Sequence, residues 1–493
     1  MTVFIDGSRL DRASLVRVAR DGEAVALAPD VPERMRRSRG VVERALVDGT
    51  AVYGSSTAVG VLKRVEVAEA AAAYSRSVLR THRVAQGSIA PADLVRGTML
   101  RLLNAYADGT TGVRPELARR LVRALDDGEL PVVRTLGSIG QGDLAPMADL
   151  ALGLFGDEHL DAGEGLALVS SNAFSTAWAT LAVHDAAGLL DTLTVAGALS
   201  LEALAANRTL LHPAIGRVRP YPGIVAALER LAELLEGSWL LEPGAARSLQ
   251  DPLAFRNLPQ ILGAGLDALT FMDAQLAIEL NASQSNPIVI AEETAPISVA
   301  NYELLPLVTA LDHLRITLAT VLTASAERSV KLLETPWSGL PTGLSVEGGS
   351  DPGLAYLGIA VQALAAEARL LAGPVSTEVV STAHAEGVED RATFAPLAAR
   401  RLAEQVGIGR RIAAVELTVA AQAVDLRGRE PLGHGTGQAH ALVRTQVPFA
   451  GPGMIVPDLE PLVERLSRDL LPGPAWRHGP VAGRDTAQGP GSA

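Results

Sequence analysis

Apolar residues recur at helical spacing over long stretches of the second half of this chain, and that pattern limits its folds more than any other feature. Leu357, Val361, Leu364, Ala368 and Leu371 step by four, three, four and three residues, and Gly373-Pro374 breaks the run. Such a stripe lies along one helix face and makes a coiled-coil-like seam with a neighbour. Similar patterns run around residues 174–207, 257–281, 303–333 and 396–426. Of the 493 residues 48% are apolar but only 3% are aromatic, and alanine and leucine supply much of the difference. Alanine-rich faces let helices approach closely. The spacing predicts a mainly α protein built on long helices packed together. Packing also accounts for the seam residues better than a functional role does.

The start of the chain differs. Val3-Phe4-Ile5 and Ala24-Val25-Ala26-Leu27 are short apolar runs bounded by the turns Asp6-Gly7 and Asp21-Gly22, which predicts a small mixed section. Beyond residue 60 the pattern becomes helical, interrupted at Gly87-Ser88 and Pro91. A run through Met99, Leu102 and Leu103 ends at Asp108-Gly109, and Arg114-Pro115 starts a helix with Leu117, Leu121 and Leu125 on one face. The chain divides into an N-terminal section, 1–160, and a long-helix section with C-terminal helices, 161–472. A tail, 473–493, carries no periodicity and is expected to be disordered.

Cysteine is absent, which excludes disulfides, thiolate metal sites and a cysteine nucleophile. A net charge of −12 argues against a nucleic-acid partner. No uninterrupted apolar run reaches about 18 residues, so no membrane span is expected. The N-terminus lacks the basic start and apolar core of a signal peptide, and the expected location is cytoplasmic. The nine histidines show no His-x-x-x-His pairing with acids, so no metal site is expected. Gly433-His434-Gly435-Thr436-Gly437 is expected to be a loop and not a nucleotide site.

The stretch Gly137-Ser138-Ile139-Gly140-Gln141-Gly142-Asp143-Leu144-Ala145-Pro146 resembles the signature loop of the aromatic amino acid ammonia-lyase family, Gly-Ser-x-Gly-Ala-Ser-Gly-Asp-Leu-x-Pro. That family includes histidine, phenylalanine and tyrosine ammonia-lyases and related aminomutases. The resemblance covers roughly residues 45–470. It implies a fumarase/aspartase-like fold with a central bundle of long helices, and a homotetramer whose sites draw on three subunits. In the family the Ala-Ser-Gly tripeptide cyclises and loses water to give a methylidene-imidazolone electrophile. Here Gly140, Gln141 and Gly142 stand instead, the loop is one residue shorter, and no placement of the gap restores a Ser-Gly pair. No methylidene-imidazolone or other cofactor is therefore expected.

The remaining motifs follow in order. Tyr53 lies in Val52-Tyr53-Gly54-Ser55-Ser56-Thr57-Ala58-Val59-Gly60, similar to Tyr-Gly-x-x-Thr-Gly-x-Gly, whose tyrosine is the family's base. A phenol titrates at about 10, so it needs positive charge or donors nearby to act as a base at neutral pH. His82 matches a position that helps select the side chain of the substrate. Gln250-Asp251-Pro252-Leu253-Ala254-Phe255-Arg256 resembles Gln-Asp-Pro-Tyr-Ser-x-Arg. Arg256 then corresponds to the clamp on the substrate carboxylate, which a planar guanidinium grips at two points. Leu253 stands where the family has a catalytic tyrosine and cannot donate a proton.

Glu164 to Asn172 aligns with Glu-Gly-Leu-Ala-Leu-x-Asn-Gly-Thr. Ser170 replaces the asparagine that supports electrophile and substrate, and Asn172, two residues on, is a candidate to compensate. Asn281-Ala282-Ser283-Gln284-Ser285-Asn286-Pro287 resembles Asn-x-x-x-Asp-Asn-Pro with Ser285 for aspartate. Asn301-Tyr302 resembles Asn-Phe, and Val388-Glu389-Asp390-Arg391 resembles Gln-Glu-Asp-His, which places Glu389 near the substrate's amine or ring.

The losses at Gln141, Ser170 and Leu253 fall on groups that make or assist the electrophile, while Tyr53, Arg256 and Glu389 stay. Ammonia elimination needs many kcal/mol of barrier lowering, and a positioned base supplies only about 10²- to 10⁴-fold. The chain is thus expected to be a carbon–nitrogen lyase-like enzyme on this scaffold without the electrophile. It would bind an amino acid or related carboxylate and carry out elimination, cyclisation or isomerisation, in specialised (natural-product) metabolism. Two alternatives stand beside this: a conventional ammonia-lyase or aminomutase with a variant loop, and an inactive binding or scaffold homologue.

Overall fold

The computed structural model describes residues 2–346, 350–377 and 387–468. The expected tail, 473–493, lies outside them. Thr2–Ile5 and Ala24–Leu27 pair in parallel, from Thr2 opposite Ala24 to Ile5 opposite Leu27. The helix Arg12–Arg20 connects them, and Asp11 caps it by accepting from the Ser14 amide at 2.7 Å. A second ribbon, Gln86–Ile89 with Arg134–Leu136, is antiparallel.

The rest is helical, as the spacing predicts. Ala173–Leu204, Leu258–Glu279, Leu305–Leu333, Leu357–Leu371 and Ala395–Arg427 form the bundle. Ala173–Leu204 is buried on nearly all sides and packs most extensively against Ala395–Arg427. Small residues make that approach possible. A Cβ added at Gly409 would lie 2.4 Å from the Leu189 side chain. The helices Arg12–Arg20 and Ala92–Ala107 lean on the same central helix, so one hydrophobic cluster runs from Ile5 to Leu466.

A buried ion pair ties three long helices together. Arg328 Nε and Nη2 meet the two carboxylate oxygens of Glu416 at 2.6 and 2.9 Å. Ser200 and Ser325 donate to the same carboxylate at 2.8 and 2.5 Å. Both charged side chains are at most 1% exposed. Removing one partner would strand the other charge in the core.

Three expectations need correction. Gly433-His434-Gly435-Thr436-Gly437 is not a loop but opens the helix His434–Gln446, and the Gly433 amide donates to Glu202 at 2.9 Å. In the seam, Ala365 is buried while Leu364 and Leu371 are only half-buried. A straight helix at 3.6 residues per turn drifts off a strict 3.5 repeat. Finally, among the described residues three stretches are long and apolar enough to cross a membrane by length and composition: Glu164–Leu204, Leu258–Glu279 and Leu305–Leu333. Scattered polar residues hid this from a search for uninterrupted runs. In the first, 89% of the most apolar window is buried inside the fold.

Candidate functional site

The loop takes its shape from Asp143. This carboxylate is fully buried at the start of the helix Leu144–Phe155. It accepts from the Ser175 amide and hydroxyl, each at 2.7 Å, and from the Ser138 hydroxyl at 2.8 Å. Two helix starts are thereby tied to one loop. Burial pushes the Asp143 carboxyl up to about 6, against the pull of those three donors. The Ser138 hydroxyl in turn accepts from the Gly140 amide at 3.0 Å.

At the tip, Gly140 has φ +78°, and a Cβ there would lie 2.3 Å from the Thr393 hydroxyl. Only glycine suits that position. The Gly140 carbonyl accepts from Asn172 Nδ2 at 3.1 Å and from Thr393 Oγ1 at 2.8 Å. The Ile139 carbonyl accepts the amides of Thr393 and Phe394 at 3.1 and 2.9 Å. Gln141 pairs with Glu303 through the backbone, and Gln141 Nε2 donates to Glu303 Oε2 at 2.9 Å. Asn172 is fully buried and supports the loop backbone. Ser170, also buried, ends the short helix Glu164–Val169 and lies against Gly142.

Beside the loop stands a cluster of phenols and acids. The half-buried Tyr53 hydroxyl accepts from the Gly60 amide at 2.9 Å. Burial raises the Tyr53 phenol, the Gly60 donor opposes this, and the charge of Glu389 adds to the rise. Tyr302 is raised by burial first, then by Glu389, Tyr53 and Glu303. Tyr53, Tyr302, Glu389 and Glu303 therefore share one electrostatic neighbourhood, and Gln141 joins it through Glu303. As it stands the cluster favours neutral phenols.

The remaining site candidates make other contacts. His82 caps its own helix, Ala71–Thr81, with Nδ1 2.7 Å from the Val78 carbonyl. Arg256 ends the exposed turn Leu253–Arg256, and its charge reaches Asp251. Gln250 is exposed and folds back on Ser248. Leu253 lines a cleft of about 320 Å³ with Asn257, Ile261, Thr320 and Arg369. Among the described residues no hydrogen bond or charge effect links this group to Tyr53. Asn281 is structural: its side chain accepts from the Leu10 amide and donates to the Leu10 carbonyl, each at 2.9 Å. Ser285 is buried, and with Tyr53, Ser55 and Thr111 it lines a void of about 20 Å³, roughly one water in size.

Glu303 and Thr393 are the site residues the sequence did not single out. Each lies within two residues of a recognised motif, but neither belongs to one. Among the described residues no group of three or more His, Asp or Glu side chains could hold a metal ion.

The family described as aromatic amino acid lyase matches residues 10–445 of the chain. The chain is 34% identical over 485 residues to a histidine ammonia-lyase from Symbiobacterium thermophilum, covering 93% of this chain and 95% of that protein. Its fold is similar to that of the ergothioneine-degrading enzyme ergothionase from Treponema denticola, with a TM-score of 0.89 and 27% identity over 95% of this chain and 98% of the other. It is also similar to tyrosine aminomutase from Streptomyces globisporus, with a TM-score of 0.86 and 26% identity over 95% and 97% of the two chains.

Proposed function

Since the chain belongs to the aromatic amino acid lyase family and is a carbon–nitrogen lyase, we propose that it cleaves the C–N bond of an amino-acid-derived carboxylate without a methylidene-imidazolone. One observation carries this reading. At the tip where the family builds its electrophile, a glutamine holds Glu303 at 2.9 Å. The residues present do not fit the prosthetic group: Gln141 has no β-hydroxyl to lose, and no serine in the loop precedes a glycine.

Without that group the substrate must supply the missing driving force. A fully alkylated nitrogen does so, because it departs as a neutral tertiary amine. The base takes the β-proton, the C–H electrons form the double bond, and the C–N pair leaves with the amine. The similarity to ergothionase supports a substrate of this kind, since ergothioneine is a trimethylammonium betaine. Tyr53 serves as the base, and a cationic substrate opposes the rise that burial and Glu389 impose on its phenol. Glu389 and the faces of Tyr53 and Tyr302 suit a quaternary ammonium. Arg256 grips the carboxylate. His82, Gln250 and Leu253 complete the walls, and Ser170 and Asn172 back the loop from behind.

Among the described residues no hydrogen bond or ion pair links Arg256 to Tyr53, and Leu253 beside Arg256 is 58% exposed. Both features support a homotetramer in which one subunit's clamp serves another's base. We place the enzyme in the cytoplasm and its reaction in specialised metabolism. The test is an assay of histidine, tyrosine and their N,N,N-trimethyl betaines, including the 2-thioimidazole betaine, read as formation of the conjugated acid. Turnover of a betaine with no ammonia from the parent amino acids is expected. Ammonia release from histidine or tyrosine at ordinary family rates would overturn the reading.

A further inference from the structure

The grip on the loop has a feature that none of the family motifs accounts for. Glu303 uses its two oxygens separately. Oε1 accepts the Leu305 amide at 3.2 Å, at the start of the 29-residue helix Leu305–Leu333. Oε2 accepts Gln141 Nε2 at 2.9 Å and faces Arg391 Nε at 3.9 Å. The helix start and the guanidinium flank the carboxylate from two sides. Gln141 thus donates to a charge that is already oriented. Backbone pairing between Gln141 and Glu303 fixes the register of that contact. On the opposite side Asn172 and Thr393 hold the Gly140 carbonyl. Three separate segments, around residues 172, 303 and 393, therefore fasten consecutive residues of the tip.

We propose that Glu303 is a positioning residue that acts through Gln141: it draws the loop tip to the wall of the site, where Gln141 forms a boundary of the space the leaving nitrogen occupies. Arg391 faces the same carboxylate from outside the loop. The glutamine is then a replacement with its own partner and not merely a lost serine. The proposal rests on the reading of the Tyr53 side as the reacting side, but the contact itself is independent of that reading.

The experiment is an interchange of the two side chains. Q141E sets two carboxylates face to face. Q141E/E303Q restores one donor and one acceptor in reversed order, and E303A removes the acceptor. Hydrogen exchange of the peptide covering residues 139–142 is measured together with kcat and KM for a betaine substrate of the wild type. A hydrogen bond to a charged group predicts exchange about 10- to 100-fold faster in Q141E and E303A. The interchanged double variant should return to near the wild-type rate. kcat should fall in step while KM holds, because the Arg256 clamp is untouched, and melting temperatures should stay close to wild type. Unchanged exchange in Q141E, or a double variant no better than Q141E, would overturn the proposal. If the wild type turns over no betaine, the proposed function fails, and the exchange data still decide whether Glu303 holds the loop.

Discussion

The two halves of the candidate site are built in opposite ways. The Tyr53 half is wired within one chain: Gly60 holds the phenol, Glu303 holds Gln141, and Asn172 and Thr393 hold the loop carbonyl. The Arg256 half is a four-residue helical turn anchored by the buried Phe255, with Leu253 and Arg256 exposed, and Arg328 Nη1 donates to its Ala254 carbonyl at 3.3 Å. On the proposed reading, the first half is the one preorganised for bond-breaking. The second presents an exposed cation, which the proposed tetramer would use across a subunit boundary. Chemistry and anchoring should therefore fail separately when each is perturbed.

The largest effect expected is at Tyr53. Tyr53→Phe keeps the ring and the packing but removes the base, and kcat should fall about 10²- to 10⁴-fold with melting unchanged. Full activity in this variant would remove the reacting half from the account. Next is the floor beneath the anchor. Arg328→Ala leaves Glu416 buried and unpaired, which costs about 3 to 5 kcal/mol, and a denaturant titration should show it. A loss below about 1 kcal/mol would mean that water reaches the pair.

Arg256→Ala should raise KM by about 10- to 100-fold, the loss of a charge-assisted hydrogen bond, while kcat for bound substrate changes less. A fall in kcat alone would put Arg256 on the reacting side and erase the division between the halves.

The smallest effect is a pH dependence at Asp143. Its folded-state pKa, about 6, lies above the ordinary 3.8. The folded protein then binds the proton more tightly than the unfolded chain, so this group's contribution is most favourable below pH 3.8 and declines as pH rises through about 6. Asp143→Asn should flatten that part of the stability–pH curve. A curve identical to wild type between pH 4 and 6 would show that the three donors offset the burial.

Much of the bundle was legible because periodicity survives in the residues themselves. The stretches around 174–207 and 396–426 became the helices Ala173–Leu204 and Ala395–Arg427. Composition could not locate the Arg328–Glu416 pair, since its partners are 88 residues apart. At the site, Tyr53, Gln141 and Asn172 were legible through their motifs. Glu303 and Thr393 were not, because they act through contacts across 162 and 253 residues, which no local pattern encodes. Gly433 misled for a related reason. Glycine-rich sequence marks close backbone approach as readily as a loop, and here it opens a helix packed against Glu202.

The central claim concerns the covalent state of one loop, and mass spectrometry of the natively folded protein addresses it most directly. After proteolysis, the peptide carrying Gly137 to Pro146 should show the full mass of its residues, and the folded protein should lack added near-ultraviolet absorbance in a difference spectrum. A peptide lighter by the mass of water at Gly140-Gln141-Gly142, accompanied by such absorbance, would contradict the account.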